Sequence, residues 1–305
     1  MTRIVAIGEC MVEMAPLATA GEFRQGYAGD TLNTAWYLRR LLSVDNQIDY
    51  FTAVGIDPVS DEMINFLKQA EIGTEFILRR EDRGLGLYMI HLQSGQRSFS
   101  YWRGESAART LAADSFPLQE TLHGADFAYF SGITLAILPP TDRSRFLTVL
   151  QKFRRYGGTV AFDPNLRPAL WDSPDDMTQA VMQAATVSDI VLPSYEDEAE
   201  WFGDENLQAT VSRYAMKQVG CCIVKNGCGD ILAFDKGECY RFDPVKVATV
   251  VDSTAAGDSF NAGFIASRLK GADLRDAVQA GSSLAAQVIT NFGALVEVDV
   301  TRAAD

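Results

Sequence analysis

Short apolar runs rich in β-branched residues alternate with helical patterns along most of this 305-residue chain, and few folds accommodate that alternation. Strand candidates fall at 3–8, 48–54, 126–131, 159–163, 189–192, 221–225 and 247–251. A strand that is followed by a helix returns parallel to itself, so the pattern predicts an α/β fold: a mostly parallel central sheet flanked by helices on both faces. Asp30 is expected to cap a helix over 31–42 and Ser60 one over 61–70. A helix over 141–156 stops at Gly157 and Gly158, and two more begin near Gly257 and Asp273.

One region breaks the rhythm. Residues 85–92 and 97–102 flank Gln93-Ser94-Gly95-Gln96 with no helix between them, the pattern of a β-hairpin with a short turn. Carrying Tyr88, Phe99, Tyr101 and Trp102, it reads as a small β lid, with residues 11–27 supplying its other strands. No repeat, low-complexity tract or linker appears, so one domain is expected over 1–305, with lid excursions at about 11–27 and 84–103.

Composition limits the partners. At 47% hydrophobic the chain can bury a large core, yet no apolar run is long enough to span a membrane, and the N-terminus reads as a first strand. Cys10, Cys221, Cys222, Cys228 and Cys239 form no C-x-x-C pair, which fits reduced thiols in a cytoplasmic protein. A formal net charge of −13 argues against nucleic acid or an anionic membrane surface. An anionic ligand must then be held by local amides and a few placed cations.

The junction Val251-Asp252-Ser253-Thr254-Ala255-Ala256-Gly257-Asp258 joins a strand-like run to a helix through small residues and a carboxylate. The first amides of a helix lack partners inside it and carry positive potential, so the backbone at Ala255, Ala256 and Gly257 suits a phosphate. Asp258 would repel that phosphate at rest; it makes sense as a base taking a proton from an incoming hydroxyl. An ordinary capped helix start is the plainer reading.

Five other clusters carry polar chemistry. Gly29, Asp30, Thr31 and Asn33 open the first helix, where Asp30 and Asn33 share a face suited to vicinal hydroxyls, or serve as a cap and a buried polar residue. Asp163-Pro164-Asn165-Leu166-Arg167 and Lys225-Asn226-Gly227-Cys228-Gly229-Asp230 each follow a strand, at the edge where ligands gather in parallel sheets; the second also reads as a plain hairpin turn. Tyr88, Tyr101 and Arg103 lie in and just after the hairpin, where Arg103 can reach an anionic substrate. Ser194-Tyr195-Glu196-Asp197-Glu198 starts a helix with acidic residues, favoured there by the dipole alone, though Asp197 or Glu198 could order water around a magnesium ion. No Walker P-loop, dinucleotide fingerprint after the first strand, G-x-S-x-G elbow or H-E-x-x-H is present, and His91 and His123 have no triad or metal spacing.

Together these residues resemble the ribokinase-like, or phosphofructokinase B, carbohydrate kinases over nearly the whole chain. The D-T-x-G-A-G-D signature stands here as Asp252-Ser253-Thr254-Ala255-Ala256-Gly257-Asp258. The resemblance implies ATP with Mg2+, room for a monovalent cation, a β lid that also serves in homo-oligomer contacts, and Asp258 as catalytic base. It implies an anion hole at Ala255, Ala256 and Gly257. Asn165, Arg167, Ser194, Lys225, Asn226, Gly227, Gly229 and Ser282 would lie on the ATP. Gly29, Asp30, Thr31, Asn33, Tyr88, Tyr101, Arg103 and Arg167 would lie on the sugar. The usual N-x-x-E magnesium motif is degraded to Ser194-Tyr195-Glu196-Asp197. The G-D-T-L-N motif, Tyr-Trp-Arg at 101–103 and Asn-Leu-Arg at 165–167 look most like the branch acting on 2-keto-3-deoxygluconate, whose carboxylate Arg103 and Arg167 would approach. A fructose or nucleoside kinase is the nearest rival, and a nucleotide-responsive binding protein without turnover a rival of another class. An oxidoreductase rests on α/β architecture alone.

Overall fold

Ile4 and Ala6 leave one face of the first strand and Val5 and Ile7 the other, and all four are fully buried. A strand buried on both faces needs helices above and below it. The structure, a computed structural model, describes residues 1–19, 21–93 and 96–299; Ser94 and Gly95 of the expected turn, and residues 300–305, lie outside these.

In chain order the strands are β1 (Arg3–Ile7), β2 (Met11–Pro16), β3 (Phe23–Ala28), β4 (Gln47–Phe51), β5 (Ala53–Gly55), β6 (Leu78–Arg80), β7 (Leu87–Gln93), β8 (Gln96–Trp102), β9 (Phe127–Ser131), β10 (Thr159–Asp163), β11 (Ile190–Val191), β12 (Cys221–Val224), β13 (Ile231–Asp235) and β14 (Glu238–Phe242). Among the described residues the central sheet has the order β14-β13-β12-β11-β10-β9-β1-β4, parallel from β12 to β4. One face packs on α1 (Asp30–Leu41), α2 (Pro58–Gln69), α9 (Ala256–Leu269) and α10 (Leu274–Val288) through Leu32, Met63, Phe264 and Leu284. The other packs on α3 (Ser115–Leu122), α4 (Gly132–Ile137), α5 (Pro140–Arg155), α6 (Pro174–Thr186) and α8 (Leu207–Ala215) through Leu118, Leu135, Phe146, Met177 and Tyr214. A short α7 (Tyr195–Phe202) follows β11. The expected ribokinase-like layering is what forms.

A second sheet, ordered β3-β2-β7-β8, stands apart from the central one. Its strands β7 and β8 are the expected antiparallel hairpin, and β2 and β3 take up the 11–27 stretch and end one residue beyond it, at Ala28.

Several expectations need correcting. The run 48–54 is two strands: β4 joins the central sheet, while after the buried Thr52 the chain turns away and β5 pairs with β6. The run 247–251 is not a strand. Val251 and Asp252 both donate their amides to the carbonyl of Ile289, which draws the segment to the end of α10. The sheet edge is filled instead by the antiparallel hairpin β13–β14, whose turn at Lys236 (φ 51°) and Gly237 (φ 92°) is left-handed throughout. Helix α1 begins at Asp30 with Gly29 as its cap, so Asp30 is no cap. Helix α2 starts three residues earlier than expected because Pro58 suits its first turn, and Asp57 caps it by accepting from Ser60 N at 3.0 Å.

Close packing fixes the helix that carries the candidate base. A Cβ on Gly263 of α9 would fall 2.8 Å from Ala280 O of α10, and one on Gly281 would fall 2.8 Å from Phe260 O. Only glycine lets these helices approach so closely.

Candidate active site

Parallel strands end together, and the residues that follow them converge at one edge: Glu9 after β1, Ser131 ending β9, Asp163 ending β10 and Lys225 after β12. Helix α9 brings its N-terminus to this edge. Its cap residue, Ala255, has φ 60° and ψ 15°, and no side chain caps the first turn. Ala256 N donates to Ser253 O at 3.2 Å, and the first bond of the helix is Ser259 N to Ala255 O at 2.9 Å. Of the three expected anion-hole amides, Ala256 is therefore engaged; those of Ala255 and Gly257, joined by that of Asp258, have no acceptor within the helix. Asp252 holds the preceding loop, its carboxylate accepting from Thr254 N at 3.1 Å and Gly293 N at 2.7 Å.

Half-buried Asp258 accepts from Asn33 Nδ2 of α1 at 2.8 Å. Burial pushes its carboxyl up to about 8, helped by the negative charges of Asp30 and Asp163, while the Asn33 hydrogen bond and the Lys225 ammonium act in the opposite direction. Asp30 accepts from Asn165 Nδ2 at 2.6 Å and from Thr31 N at 2.8 Å. Its carboxyl is raised by burial, against hydrogen bonds from Ser131, Asn165 and Thr31. Asn165, expected on ATP, is thus set against Asp30. Thr31, expected on the sugar, is fully buried and shares a 3.0 Å hydrogen bond with Tyr50.

Beneath these groups runs a buried polar network. Lys225 Nζ donates to Asp163 at 3.2 Å and to Asn261 Oδ1 at 3.0 Å. Asn261 Nδ2 donates to Asp163 at 2.6 Å and to the Tyr129 hydroxyl at 3.0 Å, which also accepts from Thr34 at 3.3 Å. The lysine lies under the start of α9, 3.5 Å from where a Cβ on Gly257 would sit. The ammonium of Lys225 thus faces two carboxylates, Asp163 and Asp258.

The segment 225–230 is the turn of the β12–β13 hairpin, with Gly227 at φ 53° and Gly229 N donating to Asn226 O at 2.7 Å. A bridge to Lys225 and the 2.7 Å bond from Tyr195 N to Lys225 O place Ser194 alongside it.

Both arginines expected to approach a substrate carboxylate already have partners. Arg103, its side chain 10% exposed, pairs with Glu9, which also accepts from the Ser106 hydroxyl. Arg167, half-exposed, lies 3.7 Å from the carboxylate of Asp197. Tyr88 is buried and donates to Glu13, with its ring 5.9 Å from that of the exposed Tyr101. Gly29 packs on the backbone of Glu9, where a Cβ would lie 2.1 Å from the Glu9 carbonyl oxygen.

The pfkB family carbohydrate kinase profile matches residues 1–299. The chain belongs to that family. It is 37% identical over 301 residues to a 2-dehydro-3-deoxygluconokinase of Escherichia coli, covering 96% of this chain and 97% of the other. A protein of the same name from Haemophilus influenzae is 36% identical over 303 residues, covering 97% and 96%. Among solved structures, the 2-dehydro-3-deoxygluconokinase of Thermotoga maritima superposes with a TM-score of 0.84 at 20% identity, covering 99% of this chain and 98% of that one.

In this pfkB kinase the two acidic residues weighed for magnesium have different surroundings. Glu198 is fully buried and accepts from Arg213 Nη2 at 2.6 Å and from the Tyr214 hydroxyl at 2.8 Å, so it has no room for a metal. Asp197 is half-exposed beside Arg167, and burial raises its carboxyl. Ser282 is buried on α10, and its hydroxyl has no partner among the described residues. Sequence reasoning missed Glu9, Tyr129 and Ser131 and gave no role to Asp163 or Asn261. Asn261 carried a usable signal, since it lies three residues after Asp258 on the same face of α9.

Proposed function

We propose that this kinase transfers the γ-phosphoryl group of ATP to the terminal hydroxyl of 2-keto-3-deoxygluconate, giving the 6-phosphate. The observation that carries the reading is Asp258, a carboxylate with a raised pKa in the first turn of α9, beside amides that have no acceptor within the helix. As the sugar oxygen attacks Pγ, the new O–P bond forms, the bond to the ADP oxygen breaks, and Asp258 takes the hydroxyl proton. The amides of Ala255 and Gly257 stabilise charge on the transferred group, and Lys225 lies beneath them. Asp30 and Asn33 hold the sugar, with Asn165 orienting Asp30.

Three features favour nucleotide: amides at the start of α9 with no acceptor inside the helix, the left-handed Gly227 turn, and the buried Ser282 hydroxyl, without a partner among the described residues. Magnesium would accompany the phosphates, and of the two candidate acids Asp197, rather than the Arg213-paired Glu198, would serve it through water. The four-stranded sheet acts as a lid, and exposed Phe99, Tyr101 and Trp102 on β8 favour contact there with a second copy of the chain.

The acid substrate draws on the names of the relatives and on the two arginines near the site. A fructokinase reading draws on the carboxylate partners of those arginines, Glu9 and Asp197, which leave neither cation uncompensated. An ADP-coupled assay over the keto acid, fructose and a nucleoside decides between them. Faster turnover of fructose would overturn the acid, and no sugar-dependent ADP release at all would overturn the kinase.

A further inference from the structure

Glu9 is 3% exposed and ends no strand, yet three segments of the site close around it. Gly29, opening the sugar motif, packs on its backbone. Gly86, just before β7, leaves room for it: a Cβ there would lie 2.9 Å from Glu9 Oε1 and 3.1 Å from Arg103 Cβ. Arg103 and Ser106, just after β8, both donate to its carboxylate. The two legs are also tied to each other, Ala107 N donating to Gly84 O at 2.8 Å. Glu9 therefore sits where the hairpin of the small sheet enters the body of the protein.

The guanidinium it holds is incompletely satisfied. Arg103 Nε is buried and has no acceptor among the described residues, although its neighbour Nη2 is paired. A buried donor left unpaired is costly and is retained where a ligand completes it. A neutral sugar hydroxyl is a weak acceptor for such a group. A carboxylate is a strong one.

We propose that Glu9 is the specificity-positioning residue of the sugar-acid site: it fixes Arg103 at the root of the small sheet, so that its unpaired Nε–H meets the substrate carboxylate. This rests on the kinase reading above and deepens it. Because Glu9 already balances the arginine, discrimination comes from the direction of the hydrogen bonds rather than from surplus positive charge. Glu9 acts through Arg103 and touches no reacting atom.

Kinetics of Glu9→Gln, Arg103→Ala and the double variant, on the keto acid and on fructose, test this. Glu9→Gln should raise KM for the acid roughly tenfold or more, as expected for a disturbed buried charge pair, with KM for ATP and turnover of fructose little changed. The double variant should be no worse on the acid than Arg103→Ala, because one residue works through the other. Multiplicative losses, equal losses on both sugars, or tighter binding of the acid would each overturn the assignment. Should Glu9→Gln melt far below the wild type, Ser106→Ala, which removes only one donor to Glu9, should still raise KM for the acid; an unchanged KM there counts against the proposal. A wild type inactive on every sugar defeats the kinase reading itself, whereas a wild type active on the acid beside an unaltered Glu9→Gln defeats this assignment alone.

Discussion

Asn33 of α1 and Asp258 of α9, 225 positions apart in the chain, meet in a 2.8 Å hydrogen bond from Nδ2 to Oδ2. The sugar motif and the candidate base are thereby held in one geometry before any ligand arrives. A base placed in this way contributes roughly 10²–10⁴ in rate. Asp258→Asn keeps the size of the side chain and an oxygen for Asn33, so it should fold and bind ATP normally while losing about that factor in kcat. Calorimetry with ATP beside a turnover assay checks this; near-normal turnover removes Asp258 from the mechanism.

The pH profile follows from the same carboxyl. Burial, with Asp30 and Asp163 nearby, raises it to about 8, and a base works only when deprotonated. The kcat/KM of the free enzyme should therefore climb from acid pH and level off above about 8. Asn33→Ala removes a bond that favours the charged form, so the limb should move to higher pH. A limb centred near 4 in the wild type would mean that Asp258 is not the titrating group.

Stability should respond in the opposite sense to activity. In the unfolded chain an aspartate titrates near 3.9, whereas in the folded protein Asp258 holds its proton up to about 8. Across that window the folded state binds the extra proton, so this group lowers stability progressively as pH rises from about 4 to about 8. Asp258→Asn removes the charge, and the variant should melt above the wild type at about pH 9 but level with it near pH 4. Thermal melts at the two pH values decide; a variant less stable at alkaline pH contradicts the direction of the shift.

The layered sheet and the α9 junction were legible because they rest on local patterns: doubly buried strands read as continuous apolar runs, and small residues before Asp258 mark a helix start open to a ligand. What escaped was set by tertiary pairing. Glu9 looks like an ordinary strand exit until Arg103 and Ser106, more than ninety residues on, arrive at its carboxylate. Glu198 and Asp197 are neighbours in one acidic turn, and nothing local tells that Arg213 and Tyr214 bury the first while the second faces Arg167. The outer strand β14 was missed because it is exposed over most of its length, with a pattern that also suits a loop.

Lys225 should matter for stability and for rate. Its ammonium is the partner of Asp163, a carboxylate only 4% exposed, and of Asn261. Removing one member of such a buried pair costs about 3–5 kcal/mol. Lys225→Met should lose stability in this range, and adding Asp163→Asn should restore part of it, as denaturant titrations would register. Because the ammonium also favours ionised Asp258, the activity limb should shift to higher pH in Lys225→Met. Unchanged stability and an unchanged limb would show that the lysine faces solvent instead.

The acidic turn at α7 separates a residue that can serve the metal from one that holds the fold. Glu198 is fully buried with Arg213, and Arg213 also pairs with Asp204 at 2.5 Å. Arg213→Ala strands Glu198 without a cation and should cost about 3–5 kcal/mol, with little effect on how turnover depends on magnesium in whatever protein remains folded. Asp197→Asn changes a half-exposed carboxylate beside Arg167 and should do the reverse: a small effect on melting, and a several-fold rise in the magnesium concentration that gives half-maximal rate. Magnesium titrations of both variants, run below their melting points, separate these outcomes. A large magnesium effect in Arg213→Ala with none in Asp197→Asn would return the metal to Glu198 and require the buried pair to open in the working enzyme.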